Sequence, residues 1–266
     1  MESEVVAVAI TLVKLCEGAE KNYSMQLVAG KNGVQNTVRW VHMVEDIEVP
    51  DFLHGGELIF TTGIGHVGSS DRMLGFVKSL FHHDAAGIVF NIGPYIHDVP
   101  DEVLDFCDKN AFPVYTLPWR VHIIDITYDF CTRIIENKKT EMSVVQAFRN
   151  LISHPEKEED YRPFLEKNGF SDDASFRAIT VGFFKAGRSV STPLYRQNQI
   201  LLWRLLAHSS HSSAVIEQDS QLLILRQNCT ETQLKRIAAS LKKALDGKEI
   251  DYFIGISDSI SSFAGI

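Results

Sequence analysis

Residues 37–118 alternate between strand-like and helix-like periodicity, and that alternation restricts the fold more than any other property of the chain. Thr37-Val38-Arg39-Trp40-Val41-His42-Met43-Val44 alternates apolar and polar side chains, the pattern of a half-buried strand. An acidic loop (Glu45, Asp46, Glu48), a Pro50-Asp51 turn and a Gly55-Gly56 turn separate it from a second strand at 57–62. Residues 71–81 then take a 3.6-residue period, with Met73, Leu74, Val77, Leu80 and Phe81 on one helix face. Residues 86–91 read as a buried strand. Pro100 suits the first position of a further helix, where Asp101 and Glu102 complement the dipole and Val103, Phe106 and Cys107 turn inward. Pro113 and Pro118 close a short strand. Strands alternating with helices imply an α/β domain.

The chain has 266 residues, 45% hydrophobic and 23% charged, which suits one or two folded domains. It has no apolar run of the roughly 18 residues a membrane span needs. The start, Met1-Glu2-Ser3-Glu4, is acidic and lacks the basic segment of a secretory signal. A cytoplasmic protein without a membrane partner is expected. Cys16, Cys107, Cys131 and Cys229 are isolated and are read as reduced thiols, with no metal-ligand spacing among them. Residues 1–140 hold 11 Lys+Arg against 19 Asp+Glu, and residues 141–266 hold 15 of each. The entire formal charge of −8 therefore sits in the first half, where it repels a nucleic-acid backbone.

A long helical pattern covers residues 122–153. Ile123, Ile126, Phe130 and Ile134 repeat at 3–4 spacing, and Met142, Val145, Phe148 and Ile152 resume it after the polar stretch Glu136-Asn137-Lys138-Lys139-Thr140. One continuous helix and two helices broken there both fit. A helix of this length is a natural dimer contact and signal lever, or it simply packs on its own domain. Further on come a strand at 176–184, a helix from Thr192-Pro193 to His208, a hairpin at 214–225, a Thr230-Glu231-Thr232-Gln233 capping box, a helix with Leu234, Ile237, Leu241 and Leu245 inward, and a strand at 252–256. This β-α-β-β-α-β order suggests a ferredoxin-like sheet.

Gly63-Ile64-Gly65-His66-Val67-Gly68 spells a dinucleotide fingerprint, and NAD binding through Gly63, Gly65 and Gly68 is the alternative reading. It is weakened because Ser69-Ser70-Asp71 puts the helix start after the third glycine, and because the next strand ends in Asn91 and not in an acid. The ten histidines form no metal or catalytic set, and no serine occupies a nucleophile elbow. No enzymatic activity, catalytic residue, metal or cofactor is expected.

The segment 27–63, with its wording VAG…V.WVH..E…GGEL..TTG, resembles the N-terminal sensory domain of PucR-type (purine catabolism regulator-like) transcriptional regulators. The second half resembles the degenerate GGDEF-like domain that follows it in such proteins. There Ile179-Thr180-Val181-Gly182-Phe183-Phe184-Lys185 carries Thr180 and Gly182 where an active cyclase has metal-binding aspartates, and Glu217-Gln218-Asp219-Ser220-Gln221 stands for the GGDEF hairpin. With one acid left of four, two-metal phosphoryl chemistry has no ligand set. The resemblance implies a sensory domain at 1–135, a helical linker at 136–170 and a degenerate GGDEF-like domain at 171–266. It also implies a homodimer, a small-molecule metabolite effector from purine or other nitrogen catabolism, and DNA contact only through a C-terminal helix-turn-helix past Ile266. For the effector pocket, polar residues at strand ends and adjoining loops are the candidates: Arg39, His42 and Glu45; Thr61, Thr62 and Gly63; Asn91 and Gly93. Each has a plainer reading, as a solvated Arg39–Glu45 ion pair, a strand end, or a turn.

Overall fold

The computed structural model describes residues 10–45, 53–64, 70–185, 188–189, 213–218, 221–246 and 250–266. The chain forms two compact units that meet in sequence between Glu136 and Asn137. Strands and helices mix in an α/β fold.

In the first unit, β1 (Ile10–Thr11) pairs with β3 (Thr37–Val38) as a small antiparallel ladder. The main sheet contains β2 (Gln26–Ala29), β4 (Trp40–Met43), β5 (Glu57–Thr61), β6 (Gly87–Ile92) and β7 (Val114–Pro118), in the order β2-β7-β6-β5-β4. β4 to β7 are parallel and stand in chain order, while β2 joins β7 antiparallel. Parallel strands need long crossovers, and α3 (Ser70–His82) and α4 (Asp101–Lys109) supply two of them after the short α1 (Leu12–Leu15) and α2 (Ala19–Tyr23). Pro100 is the N-cap residue of α4 and not its first helical position, so its extended backbone, ψ 145°, ends the loop.

The sheet is covered on both sides, as parallel sheets are. On one face Phe76, Val77 and Leu80 of α3 and Val103 and Cys107 of α4 pack on Ile59, Ile88, Phe90 and Val114. Phe76 is fully buried, whereas Leu74 and Phe81 are only half-buried, so the inward stripe is turned slightly from the sequence expectation. The other face buries Leu58, Phe60, Val89, Tyr115 and Leu117 against Leu12, Leu15, Ile126, Phe130 and Ile134. Gly30, at φ 72°, lets the β2 end approach β7: a Cβ there would lie 2.0 Å from the Phe112 carbonyl oxygen.

α5 runs unbroken from Ile123 to Ser153, so the polar stretch at 136–140 does not interrupt it. Its first part carries Ile126, Phe130 and Ile134 in the first unit. In the second unit Val144, Val145, Phe148 and Leu151, with Leu165 of α6 (Glu158–Lys167), pack on one face of a second sheet. Phe148 meets Phe170, Phe176 and Phe263 at ring distances of 4.9, 6.4 and 6.3 Å. That sheet is antiparallel, in the order β10-β11-β8-β12, from β8 (Phe176–Lys185), β10 (Ser213–Gln218), β11 (Gln221–Gln227) and β12 (Asp251–Ile256); β9 (Arg188–Ser189) pairs with β8. α7 (Glu231–Leu245) covers its other face through Leu234 and Leu241 and opens on the expected capping box of Thr230 and Gln233. The helix expected from Thr192 to His208, and the hairpin residues Asp219 and Ser220, lie outside the described residues.

Phe130 joins α5 to the sheet through an edge-to-face contact with Phe60, centroids 6.3 Å apart, and both rings are fully buried. Phe130→Ala should therefore destabilise the first unit by about 3–5 kcal/mol, the usual cost of deleting a buried aromatic ring. Urea unfolding followed by Trp fluorescence measures it.

Candidate functional site

The parallel strands all end at one edge of the sheet, where α/β folds hold their ligands. After β4, Val44 is buried and donates its N–H to the Phe60 carbonyl (3.0 Å), which extends the pairing one residue past the strand. That carries Glu45 to the end of β5. There its carboxylate accepts four hydrogen bonds. Oε1 takes the Thr62 N–H (2.9 Å) and the Thr62 hydroxyl (2.8 Å); Oε2 takes the Thr61 hydroxyl (3.0 Å) and the Gly63 N–H (3.0 Å). Gly63 sits at φ 77°, which aims its N–H back into this cluster. Thr61 and Thr62 are buried, so the carboxylate supplies the acceptors that water would otherwise provide. The surface ion pair between Arg39 and Glu45 is not formed.

Asn91, 3% exposed, occupies the matching position on β6. Its amide nitrogen donates to the carbonyl oxygens of Leu117 (3.2 Å) and Pro118 (3.3 Å) on β7. Carbonyls only accept, so the nitrogen must face β7 and the amide oxygen faces away from it. Among the described residues no donor reaches that oxygen. Gly93 follows, donating to the Ile96 carbonyl (2.7 Å), with Trp119 packed so close that a Cβ would lie 2.6 Å from its ring. Trp119 and Tyr95 pack edge to face at 5.9 Å. They are 44% and 47% exposed, an apolar platform beside the polar edge.

Six of the eight sequence candidates, Glu45, Thr61, Thr62, Gly63, Asn91 and Gly93, thus line one sheet edge. Arg39 lies elsewhere. It precedes β4, its N–H bonds the Gly56 carbonyl (2.8 Å) and its side chain packs along Gly56, which puts it at the opposite end of the sheet. His42 is exposed on β4. Tyr95 and Trp119 were not singled out in the sequence, although a Pro-Trp-Arg step straight after a strand hinted at an aromatic on the rim. Gly65 and Gly68 lie outside the described residues, and the Gly63 N–H is already engaged by Glu45. The paired His82 and His83 use Nδ1 against the Lys78 and Ser79 carbonyls, one turn back on α3.

Two other places bear on function. An open groove of about 500 Å³ lies along α2 and α5, between Tyr23, Ile124, Tyr128 and Arg133. In the second unit the Phe253 ring covers Gly182: a Cβ at Gly182 would lie 2.2 Å from it, so a side chain at this strand position would have to displace the ring. Cys107 is buried and Cys16 half-buried, and desolvation pushes both thiols up to about 12 and leaves them protonated at neutral pH.

The first unit is an α/β domain that presents polar strand ends at an open edge. Residues 15–134 match the PucR, purine catabolism regulatory protein-like, family. Over 129 residues it is 26% identical to the purine catabolism regulatory protein of Bacillus subtilis (strain 168), a match covering 48% of this chain and 24% of that protein. The chain thus spans about a quarter of the relative's length. Among solved structures, a Bacillus cereus protein related to NIF3 aligns with 94% of this chain and 63% of its own at 10% identity, but its TM-score of 0.22 carries no argument about fold.

Removing the Glu45 carboxylate strands the Thr62 N–H and leaves the Gly63 N–H only its 3.2 Å bond to the Thr61 hydroxyl. Glu45→Ala should cost at least about 1.5–3 kcal/mol, the worth of one hydrogen bond to a charged group. Glu45→Gln, which keeps one acceptor oxygen, should lose less. Thermal melting of the two variants side by side checks the order.

Proposed function

We propose that this chain is the ligand-sensing and dimerising portion of a transcriptional regulator of purine or related nitrogen catabolism. The reading rests on the polar sheet edge of Glu45, Thr61, Thr62 and Asn91 lying within the segment that matches the PucR family. The name of the Bacillus subtilis relative supports the link to purine catabolism. A small metabolite would bind at this edge and favour one of two arrangements of the domain, since a ligand shifts an equilibrium only through its different affinity for the two states. α5 would carry the change onward. The second unit would serve as an inactive GGDEF-like module, in keeping with the ring over Gly182. DNA contact would fall to a helix-turn-helix outside these 266 residues, and the protein would work in the cytoplasm as a regulator and not as an enzyme. A dinucleotide site at Gly63 has less support, because its N–H is spent on Glu45.

Dimerisation through α5 has a physical motive. Ile124 and Tyr128, one turn apart, are 72% and 74% exposed. Large apolar side chains aligned on one helix face are a common mark of a partner surface. Tyr128→Arg should convert the dimer to monomer at tens of micromolar by light scattering; a wild-type chain that is already monomeric contradicts the dimer.

The effector reading is tested by melting the chain against purines, their breakdown products, amino acids and NAD(H). A ligand at a hundred times its Kd adds about 2.7 kcal/mol of stability. That raises Tm by several degrees, at about 2–4 °C per kcal/mol for 150–250 residues. The rise should vanish in Asn91→Leu and persist in Arg39→Gln. A rise with NAD(H) alone would favour the enzyme reading.

A further inference from the structure

Arg226 is fully buried near the C-terminal end of β11, and none of its three guanidinium nitrogens has a hydrogen-bond partner among the described residues. Its side chain follows Leu222 and Ile224 in alternation and so lies on the sheet face that α7 covers. The register sets Arg177 of β8 directly opposite it on one side and Ser213 of β10 on the other. Directly opposed residues share a face with Cβ atoms about 4.5–5.5 Å apart, and like charges in such a pair repel. Among the described residues Arg177 donates one hydrogen bond, to the Ser257 carbonyl oxygen at 3.5 Å. No ion pair joins either arginine to a carboxylate among the described residues.

Two neighbouring guanidiniums with no carboxylate in hydrogen-bonding contact among the described residues are a costly arrangement, because a poorly compensated buried charge opposes folding. Burial pushes the Arg226 guanidinium below its usual range, and the nearby Cys229 partly opposes that. The amino end of α7, which favours anions, begins at Glu231, just past the end of β11. Lys235 holds the Glu231 carboxyl below the usual range, mainly by a hydrogen bond, and Arg177 adds to the effect, so the first turn of α7 lies within electrostatic reach of Arg177.

We propose that Arg226 and Arg177 form a binding site for a doubly charged oxyanion of the phosphate class, free or carried on a larger metabolite. Guanidinium groups present parallel N–H donors that match phosphate oxygens. Two adjacent positive charges are balanced by a dianion, whereas one carboxylate leaves a positive charge over. Because Arg226 is enclosed, the anion acts on the stability of the second unit. The site does not depend on the effector reading of the first unit.

The test is thermal melting of the whole chain in phosphate-free chloride buffer and then with inorganic phosphate, sulfate, acetate or a nucleoside monophosphate at matched ionic strength. Phosphate and sulfate should raise the melting temperature and acetate should do so far less. A response to the nucleotide at much lower concentration than to free phosphate assigns the site to a phosphate-bearing metabolite; equal responses assign it to free phosphate. Arg226→Met should abolish the rise and should melt above the wild type in phosphate-free buffer. Arg177→Gln, at a half-buried position with one carbonyl contact, keeps the fold and should lose most of the rise. The proposal is overturned if phosphate leaves the wild type unchanged, if acetate equals phosphate, if both variants keep the rise, or if Arg226→Met melts below the wild type without phosphate.

Discussion

Four parallel strands cannot leave a face of their sheet in water, and the first unit is organised around that demand. Every residue of β5 is buried. α3 and α4 close one face, and α1, α2 and the start of α5 close the other. With the central strands covered on both faces, the strand ends are where their backbone and polar side chains can meet a ligand. The carboxylate of Glu45 then orders one of those ends by gathering the donors of Thr61, Thr62 and Gly63. Burial of the sheet and polarity of its rim are thus two consequences of the same parallel arrangement.

Most of the first unit was legible because its signals are local. Apolar runs bounded by turn residues marked β5, β6 and β7, and helical periodicity marked α3 and α4. The strand-end rule then grouped Glu45, Thr61, Thr62, Gly63, Asn91 and Gly93, which do lie along one end of the sheet. It misplaced Arg39, because a position in a strand pattern does not say which end of the sheet the residue reaches: Arg39 precedes β4, whereas Glu45 follows it. Tyr95 and Trp119 escaped because a ring platform forms only when the turn after β6 meets the end of β7, some 25 residues later. The continuity of α5 was also open in the sequence. Glu136 to Thr140 is polar enough for a turn, yet none of these residues is a helix breaker, and apolar side chains before and after anchor each end of the helix in a core.

The second unit presents the opposite problem. Its sheet is antiparallel and its cores are conventional, but one row across it places Arg226 beside Arg177. Sequence pattern cannot reveal such a pair, since an arginine at the end of an apolar strand reads as a solvated terminus. Only the register and the complete burial of Arg226 make it conspicuous. The first unit meets its buried donors with a carboxylate from its own chain; in the second, the buried guanidinium of Arg226 has no hydrogen-bond partner among the described residues.

The central claim is that the carboxyl-terminal edge of the parallel sheet is where the domain matching the PucR family holds its effector. Hydrogen exchange read by mass spectrometry, with and without a metabolite that raises the melting temperature, addresses it directly. The account predicts slower exchange in the peptides carrying Thr62-Gly63 and Ile92-Gly93, with the N–H groups of Arg39 and Gly56 unchanged. Protection confined to the Arg39–Gly56 end of the sheet, or to the second unit, would contradict it.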